Sequence, residues 1–502
     1  MGRYSTSINF FTFFDLRGPS LLDVTAFLGK FLGQYYILAA VVLLPVLFIQ
    51  WYIAVPAQLA HLPRVSPFAT MWSYARKESV DRRVKRLILP FAERGEPVVL
   101  VYMLGKWGVH VLDPDLVRMI CHDMVKFPKK NYQDHLHFSF LSGPNVVFSN
   151  GEMWKRHSTS VKAAFDREIP VHRFVTLAYE VFEQIAEGGV YCFSELVQKY
   201  TLDVVGTTLL GHNFQALKSG EGSFVAHFNQ VMNSIATPTR LIFPFLDDWF
   251  PRHDVIANVN ALNERYDKTL QMKKQELGLD LLSYLLEDAS LCNEELISNF
   301  SILFSAGHDT TSGAIASCVY FLAKYPEYQT QAREEVLRVL SAADHSDPSL
   351  QDHTQFNFLY ACIKEALRIN SPISLLPARW TTEPITLGKY TIPQGVSLVP
   401  NVYAVHHCSK VWAEPETFDP YRFIGKRVRP GHHIPFGTGP RQCVARQFSL
   451  YEQRTLLAML LKNYEWSLPE NSHHEDWVMN EFGAFGLSIP HELDIKFKRR
   501  ND

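Results

Sequence analysis

Twelve residues near the C-terminal end, Pro435-Phe436-Gly437-Thr438-Gly439-Pro440-Arg441-Gln442-Cys443-Val444-Ala445-Arg446, constrain this chain more than any other stretch. Two glycines and two prolines force a tight, irregular loop that continues neither a strand nor a helix. After Cys443 the apolar residues Phe448, Tyr451, Leu456 and Leu460 follow at helical spacing. The thiol is therefore expected where a loop feeds a helix, near its positive N-terminal end. That position, with Arg441 two residues away, is expected to favour thiolate over thiol. Such a thiolate serves as a nucleophile, a redox group or a ligand to iron.

The N-terminal part imposes a second constraint. Residues 31–63 contain no Asp, Glu, Lys or Arg. Within them, 35–55 forms a mostly apolar run of 21 residues, close to the ~20 needed to span a bilayer. Tyr35, Tyr36, Trp51 and Tyr52 lie near its ends, as an interfacial belt requires. The run is too long and starts too late for a cleaved signal peptide. A retained transmembrane helix is expected there, preceded by 1–34, whose apolar residues 21–31 suit a membrane surface. A proline-containing hinge follows over 56–70. The cluster Arg76, Lys77, Arg82, Arg83, Lys85 and Arg86 places the remaining chain on the cytosolic side. No linker or composition break interrupts 71–502, which reads as one catalytic domain. Lys and Arg number 49 against 51 Asp and Glu, and no basic stripe interleaves with aromatics, so nucleic acid is not indicated. The seven cysteines are scattered without a C-x-x-C pair, which argues against a zinc ribbon or disulfide framework.

Other motifs follow in order. Residues 95–111 read as a strand hairpin, and Trp154 opens an amphipathic segment reaching Phe165. Asn293 is expected to cap a long helix over 294–325. Near its middle stands Ala306-Gly307-His308-Asp309-Thr310-Thr311, where the Thr310 hydroxyl can bond the carbonyl of Ala306. Asp309 and Thr310 form a candidate acid and hydroxyl relay for protons. Glu365 and Arg368 share a face of a helix over 356–369. Short strands are expected around Ile385, Tyr390 and Val396, and a hairpin tip at 482–487. The histidine pairs 406–407, 432–433 and 473–474 lack the spacing of a zinc site and are expected at the surface or in loops.

Phe436, Gly439, Arg441 and Cys443 match the haem-binding signature Phe-x-x-Gly-x-Arg-x-Cys-x-Gly, with Ala445 in place of the last glycine. On these residues, and on Ala306–Thr311 and Glu365–Arg368, the chain resembles the cytochrome P-450 family, in its membrane-anchored microsomal type. The style of anchor and motifs is similar to that of fungal members. The resemblance implies a mainly α fold with small β-sheets, enclosing one haem b whose iron Cys443 ligates. It implies that Phe436, Gly437, Ala306 and Gly307 border the haem, with Gly307 leaving room for haem and dioxygen. Trp154 and Arg379 would serve its propionates, and Arg441 would help to bind the haem. The family's arginine four residues after the tryptophan is Ser158 here, so Arg156 or His157 is expected to substitute. Glu365, Arg368 and Arg422 would form a structural cluster behind the haem, Arg422 standing in Phe418-Asp419-Pro420-Tyr421-Arg422-Phe423.

The implied activity is insertion of one oxygen atom of O2 into a C–H bond of a lipophilic substrate such as a steroid, terpenoid or fatty acid. Phe304, Ala306, Ile373, Leu375, Leu376, Ala484 and Phe485 are expected to line its pocket. No G-x-G-x-x-G follows a strand, so electrons are expected from NADPH through the separate P-450 reductase of the endoplasmic reticulum, with cytochrome b5 as a further partner. Two alternatives stand beside this reading: a thiolate-haem isomerase or dehydratase that does not use O2, and a non-catalytic haem sensor. NADPH-dependent turnover separates them from a monooxygenase.

Overall fold

In the computed structural model the described residues are 41–130, 143–219, 223–235, 237–343, 345–483 and 486–500. Two compact units result, residues 1–56 and 57–502. In the first, residues 41–52 are helical with Val41, Leu43, Leu44, Leu47 and Trp51 exposed. Among the described residues no helix is long and apolar enough to cross a membrane. Residues 1–34, and 35–40 of the expected span, lie outside them.

The second unit is mainly helical. Its first elements are α1 (Pro67–Ala75), α2 (Val80–Leu87) and the antiparallel hairpin β1 (Val98–Met103) and β2 (Lys106–Val111), with Val98 opposite Val111. After α3 (Gly151–Arg167) and the short β3 (Gly189–Cys192) comes the largely buried α4 (Phe193–Leu209). The central element is α5 (Asn293–Lys324), whose middle and C-terminal parts are buried on nearly every side. A helix apolar all round belongs in the core of a large domain. Its cap is Cys292 rather than Asn293: Glu295 reaches back to the Cys292 N–H at 2.9 Å. Three residues further in, the glutamate completes a capping box that Asn293, already inside the first turn, cannot make. Tyr325 precedes Pro326 and leaves the helical region, ending α5.

The helices α6 (Pro326–Ala342) and α7 (Asn357–Ile369) follow, then four strands: β4 (Arg379–Trp380), β5 (Ile385–Leu387), β6 (Tyr390–Ile392) and β7 (Ser397–Pro400). One sheet has the order β1-β2-β7-β4, with β2 and β7 parallel and β4 antiparallel to β7. The loop over 435–445 leads into α8 (Arg446–Asn463), and β8 (Tyr464–Ser467) and β9 (Asp494–Arg499) join β3 in a second sheet. The main apolar core packs α4, α5, α7 and α8 together. It holds the Cys443 loop against one side of α5.

The histidine pairs are not all surface groups, although His473 is exposed and 432–433 and 473–474 lie in loops. His406, His407 and His474 are buried. His407 bonds the Glu416 carboxylate and the Ile369 carbonyl, each at 2.8 Å, and His406 Nε2 accepts the Ile434 N–H. They tie the loop before Cys443 to α7. Among the described residues, no group of three or more His, Cys, Asp or Glu side chains is arranged to hold a metal ion.

Candidate haem-thiolate site

Cys443 lies three residues before α8, and its N–H donates to Phe436 O at 2.9 Å, closing the loop. Gly439 needs its positive φ of 77°, and a Cβ there would stand 2.7 Å from Cys121 O. The backbone is thereby forced close to its neighbour, which only glycine permits. The thiol faces a cavity of about 310 Å3, bordered by α5 on one side and this loop on the other. Trp154, Ala306, Thr310, Leu376, Phe436 and Val444 are among its walls. Gly437 borders it too.

The electrostatics differ from the sequence expectation. Burial raises the Cys443 thiol above its ordinary pKa, against the lowering effect of the Ala445 N–H, Lys129 and Arg446. Arg441 turns away from the sulfur. Its guanidinium donates to Val147 O at 2.8 Å and lies 4.7 Å over the Trp154 ring. Burial and the nearby Arg379 bring its pKa down to about 9.

Ser158 lines the cavity as the sequence places it, but Arg156 and His157 do not substitute for an arginine there. Arg156 pairs with Glu295, and buried His157 is held between Glu295 at 3.2 Å and Asn299 at 2.9 Å. Both residues tie α3 to α5. The third cation at the cavity is Lys129, which sequence reasoning missed. It reaches the site because Lys129 and Arg379 face each other in an antiparallel bridge. The bridge is continued by Lys130 N–H to Ala378 O and Trp380 N–H to Pro128 O, both 2.9 Å. Burial, with Arg441 and Arg379 alongside, holds the Lys129 pKa well below the ordinary lysine value.

On the opposite wall, the Thr310 hydroxyl donates to Ala306 O at 2.8 Å and faces the cavity. The Asp309 carboxylate accepts from Gln198 Nε2 at 3.0 Å and lies 3.3 Å from His308 Nε2. Gln198 comes from α4 and carried no signal in the sequence. Gly307 borders the cavity, yet the space its side chain would fill is already taken. A Cβ would meet Val205 Cγ2 at 3.0 Å, so the glycine serves the α4–α5 contact. Phe304 lines neither this cavity nor the one beside it. It is fully buried on another side of α5, edge-on to Phe224 and Phe228. Ile373, Leu375 and Leu376 line a second cavity of about 270 Å3 beside the first; Ala484 and Phe485 lie outside the described residues.

Glu365, Arg368 and Arg422 come together. Arg368 grips both Glu365 oxygens at 2.7 and 2.8 Å, in the bidentate form. Arg422 Nε adds a contact at 3.1 Å, and Arg368 also donates to His406 O. Arg368 and Glu365 are wholly buried.

The chemistry of this lining fits a haem. The cavity has apolar walls, the Cys443 thiol on its loop, the buried Cys121 thiol beside Arg379, and three largely buried cations: Lys129, Arg379 and Arg441. Among the described residues no carboxylate forms an ion pair with any of them. Cations buried without a counter-charge are costly. A flat apolar ring bearing two carboxylates supplies both the filling and the missing charge.

Comparison with known proteins agrees. The Cytochrome P450 family profile matches residues 63–494. Cytochrome P450 4A10 of Rattus norvegicus is 25% identical over 487 residues, covering 89% of this chain and 93% of the relative. The Ultra-long-chain fatty acid omega-hydroxylase of Homo sapiens is 28% identical over 412 residues, covering 74% and 76%. Cytochrome P450 4c21 of Blattella germanica is 25% identical over 431 residues, covering 78% and 84%. The chain belongs to the cytochrome P450 family of haem b monooxygenases, which receive NADPH electrons through a reductase.

Proposed function

We propose that this protein inserts oxygen into a C–H bond of a lipophilic substrate, with Cys443 as the residue that would ligate haem iron. The observation that carries this reading is the loop thiol of Cys443 facing a cavity whose three cations have, among the described residues, no carboxylate paired with them. Haem b supplies binding and activation of dioxygen there. The chain's part is to hold, orient and supply protons. Cys443 would give the iron a sulfur ligand, and Trp154 with Arg379, Arg441 and Lys129 would hold the propionates. One oxygen atom goes to the substrate carbon and the other leaves as water, so the site needs protons as well as electrons. Thr310 presents its hydroxyl to the cavity, and Asp309, steadied by Gln198 and His308, is the acid beside it. The apolar wall of Ile302, Ile373 and Leu376 excludes water and holds an apolar substrate.

The electron partner is the membrane-bound NADPH reductase, with cytochrome b5 as a further donor, and the location is the endoplasmic reticulum membrane. The uncharged run 35–55 supports a single N-terminal anchor with the catalytic unit in the cytosol. Phe68 and Trp72, exposed on one face of α1 soon after that run, support contact of the catalytic unit with lipid. Alkaline extraction should leave the full chain in the membrane, and deletion of 35–55 should release it. The decisive spectrum is that of reduced, carbon-monoxide-treated protein. Wild type should show a sulfur-ligated carbonyl band and Cys443→Ala should lose it; a band that persists without the sulfur overturns the assignment.

A further inference from the structure

Asp309 stands between two cavities. On its inner side it borders the cavity of about 270 Å3 together with Ala306 and Thr310, which that cavity shares with the Cys443 cavity. On its outer side lies a third cavity, of about 390 Å3, with Glu195, Gln198, Lys199 and His308 in its lining. Glu195 and Gln198 are exposed, so this cavity opens to solvent. Two of its side chains reach Asp309 at one oxygen. Gln198 Nε2 donates to Oδ1 at 3.0 Å, and His308 Nε2 lies 3.3 Å from the same atom.

The other nitrogen of the imidazole fixes where its hydrogens sit. His308 Nδ1 is 3.0 Å from the Phe304 carbonyl, which only accepts, so Nδ1 carries a hydrogen. A neutral ring then turns the bare lone pair of Nε2 toward a carboxylate oxygen, and two acceptors repel. A second hydrogen, on Nε2, makes the contact an attraction between imidazolium and carboxylate. The ring is buried on α5, with the Phe228 and Phe304 rings 5.6 and 5.3 Å from it. The other charges facing the pair are Glu195 and Lys199 of α4, across the outer cavity, and Glu481. Glu481 lies within electrostatic reach of Asp309 and 3.9 Å from His491.

We propose that His308 is the proton donor that loads Asp309, and that water in the outer cavity recharges it. The inference deepens the monooxygenase reading and rests on it. Each turnover takes two electrons and two protons and releases one water, and the electrons arrive through the reductase. The Nε2–H bond of His308 breaks as an O–H bond forms on Asp309, which passes that proton to the Thr310 side of the inner cavity. Water in the outer cavity then returns a proton to Nε2, and the ring ends as it began. Gln198 holds the carboxylate in place and gives up no proton.

Two measurements on the haem-loaded full chain test this. His308→Gln keeps a polar side chain at the position without a transferable proton. Product formed per NADPH consumed should fall about tenfold or more at about pH 7.5. It should recover as the pH is lowered toward about 6, because solvent protons then load Asp309 directly, while wild type changes little over that range. The second readout needs no turnover. With isotope-labelled histidine in the reduced, carbon-monoxide-treated protein at about pH 6, nitrogen resonances should show hydrogen on both ring nitrogens of His308. Asp309→Asn should leave Nε2 bare, since burial favours the neutral ring once the carboxylate is gone. Wild-type yield in His308→Gln overturns the proposal, as does a loss of yield that lower pH does not relieve, or a bare Nε2 in the wild type. Should His308→Gln fail to load haem, the nitrogen spectrum still decides. Failure of the monooxygenase reading is separately visible, as loss of the sulfur-ligated carbonyl band while Nε2 keeps its hydrogen.

Discussion

Arg441 stands two residues from Cys443 in the chain, yet its guanidinium leaves the sulfur and lies over Trp154. Lys129, more than three hundred residues away in sequence, acts on the thiol through space together with the nearby Arg446. Ser158 marks the same effect, since the cationic place near the cavity is taken by a residue from a strand bridge and not by a helical neighbour. Lys129→Met is therefore expected to weaken haem retention about tenfold, Lys129→Arg to preserve it, and Ser158→Arg to rescue the methionine variant. Haem titration of each apoprotein measures this without any turnover. Thr310→Val keeps the shape of the side chain and removes the hydroxyl. Product formed per NADPH consumed should fall, on the order of 10²-fold if the hydroxyl carries the proton step, while the carbonyl band stays.

At the scale of elements, two contacts hold the site together, and both are dense with charge or short of space. Glu365 on α7 is buried and accepts from two arginines. Glu365→Ala leaves Arg368 buried without its partner, which is expected to cost about 3–5 kcal/mol in urea unfolding. The α4–α5 contact depends on a missing side chain. Gly307→Ala is expected to destabilise by about 1–3 kcal/mol through the clash with Val205. Val205→Ala should offset part of that loss in the double variant, because the two residues share one space. Helix spans were readable from hydrophobic period, proline and capping: α5 is found within a residue of its expected ends, and only the capping residue differs. The period could not show that Gly307 faces another helix, since a residue that borders both a cavity and a helix has no distinct pattern.

Across the whole molecule, neutral histidines are part of what the fold stabilises. Burial lowers the pKa of His110, His353 and His433 to about 3. The unfolded chain binds protons at these positions below about pH 6.5, while the folded chain resists them until about pH 3. Stability is therefore expected to fall as pH drops through this window, by up to about 1.4 kcal/mol per pH unit for each histidine. Melting curves between pH 7 and 5 should show the decline, and His353→Gln should make it shallower. Exposed histidines, one of the two placements the sequence suggested for the 406–407 and 432–433 pairs, would produce no such dependence.

Local chemistry was legible in the residue order alone: the thiol loop, the long helix with its Thr310 hydroxyl bonded to Ala306, the Glu365–Arg368 pair, and through them the family. Each depends on neighbours within about four positions, a reach that backbone geometry sets directly. Assembly of the cavity walls was not legible. Lys129 beside Arg379 and Gln198 on Asp309 each join segments distant in the chain. Their charges matter because folding removes water around them, and which groups lose their water is decided only when the helices and sheets pack.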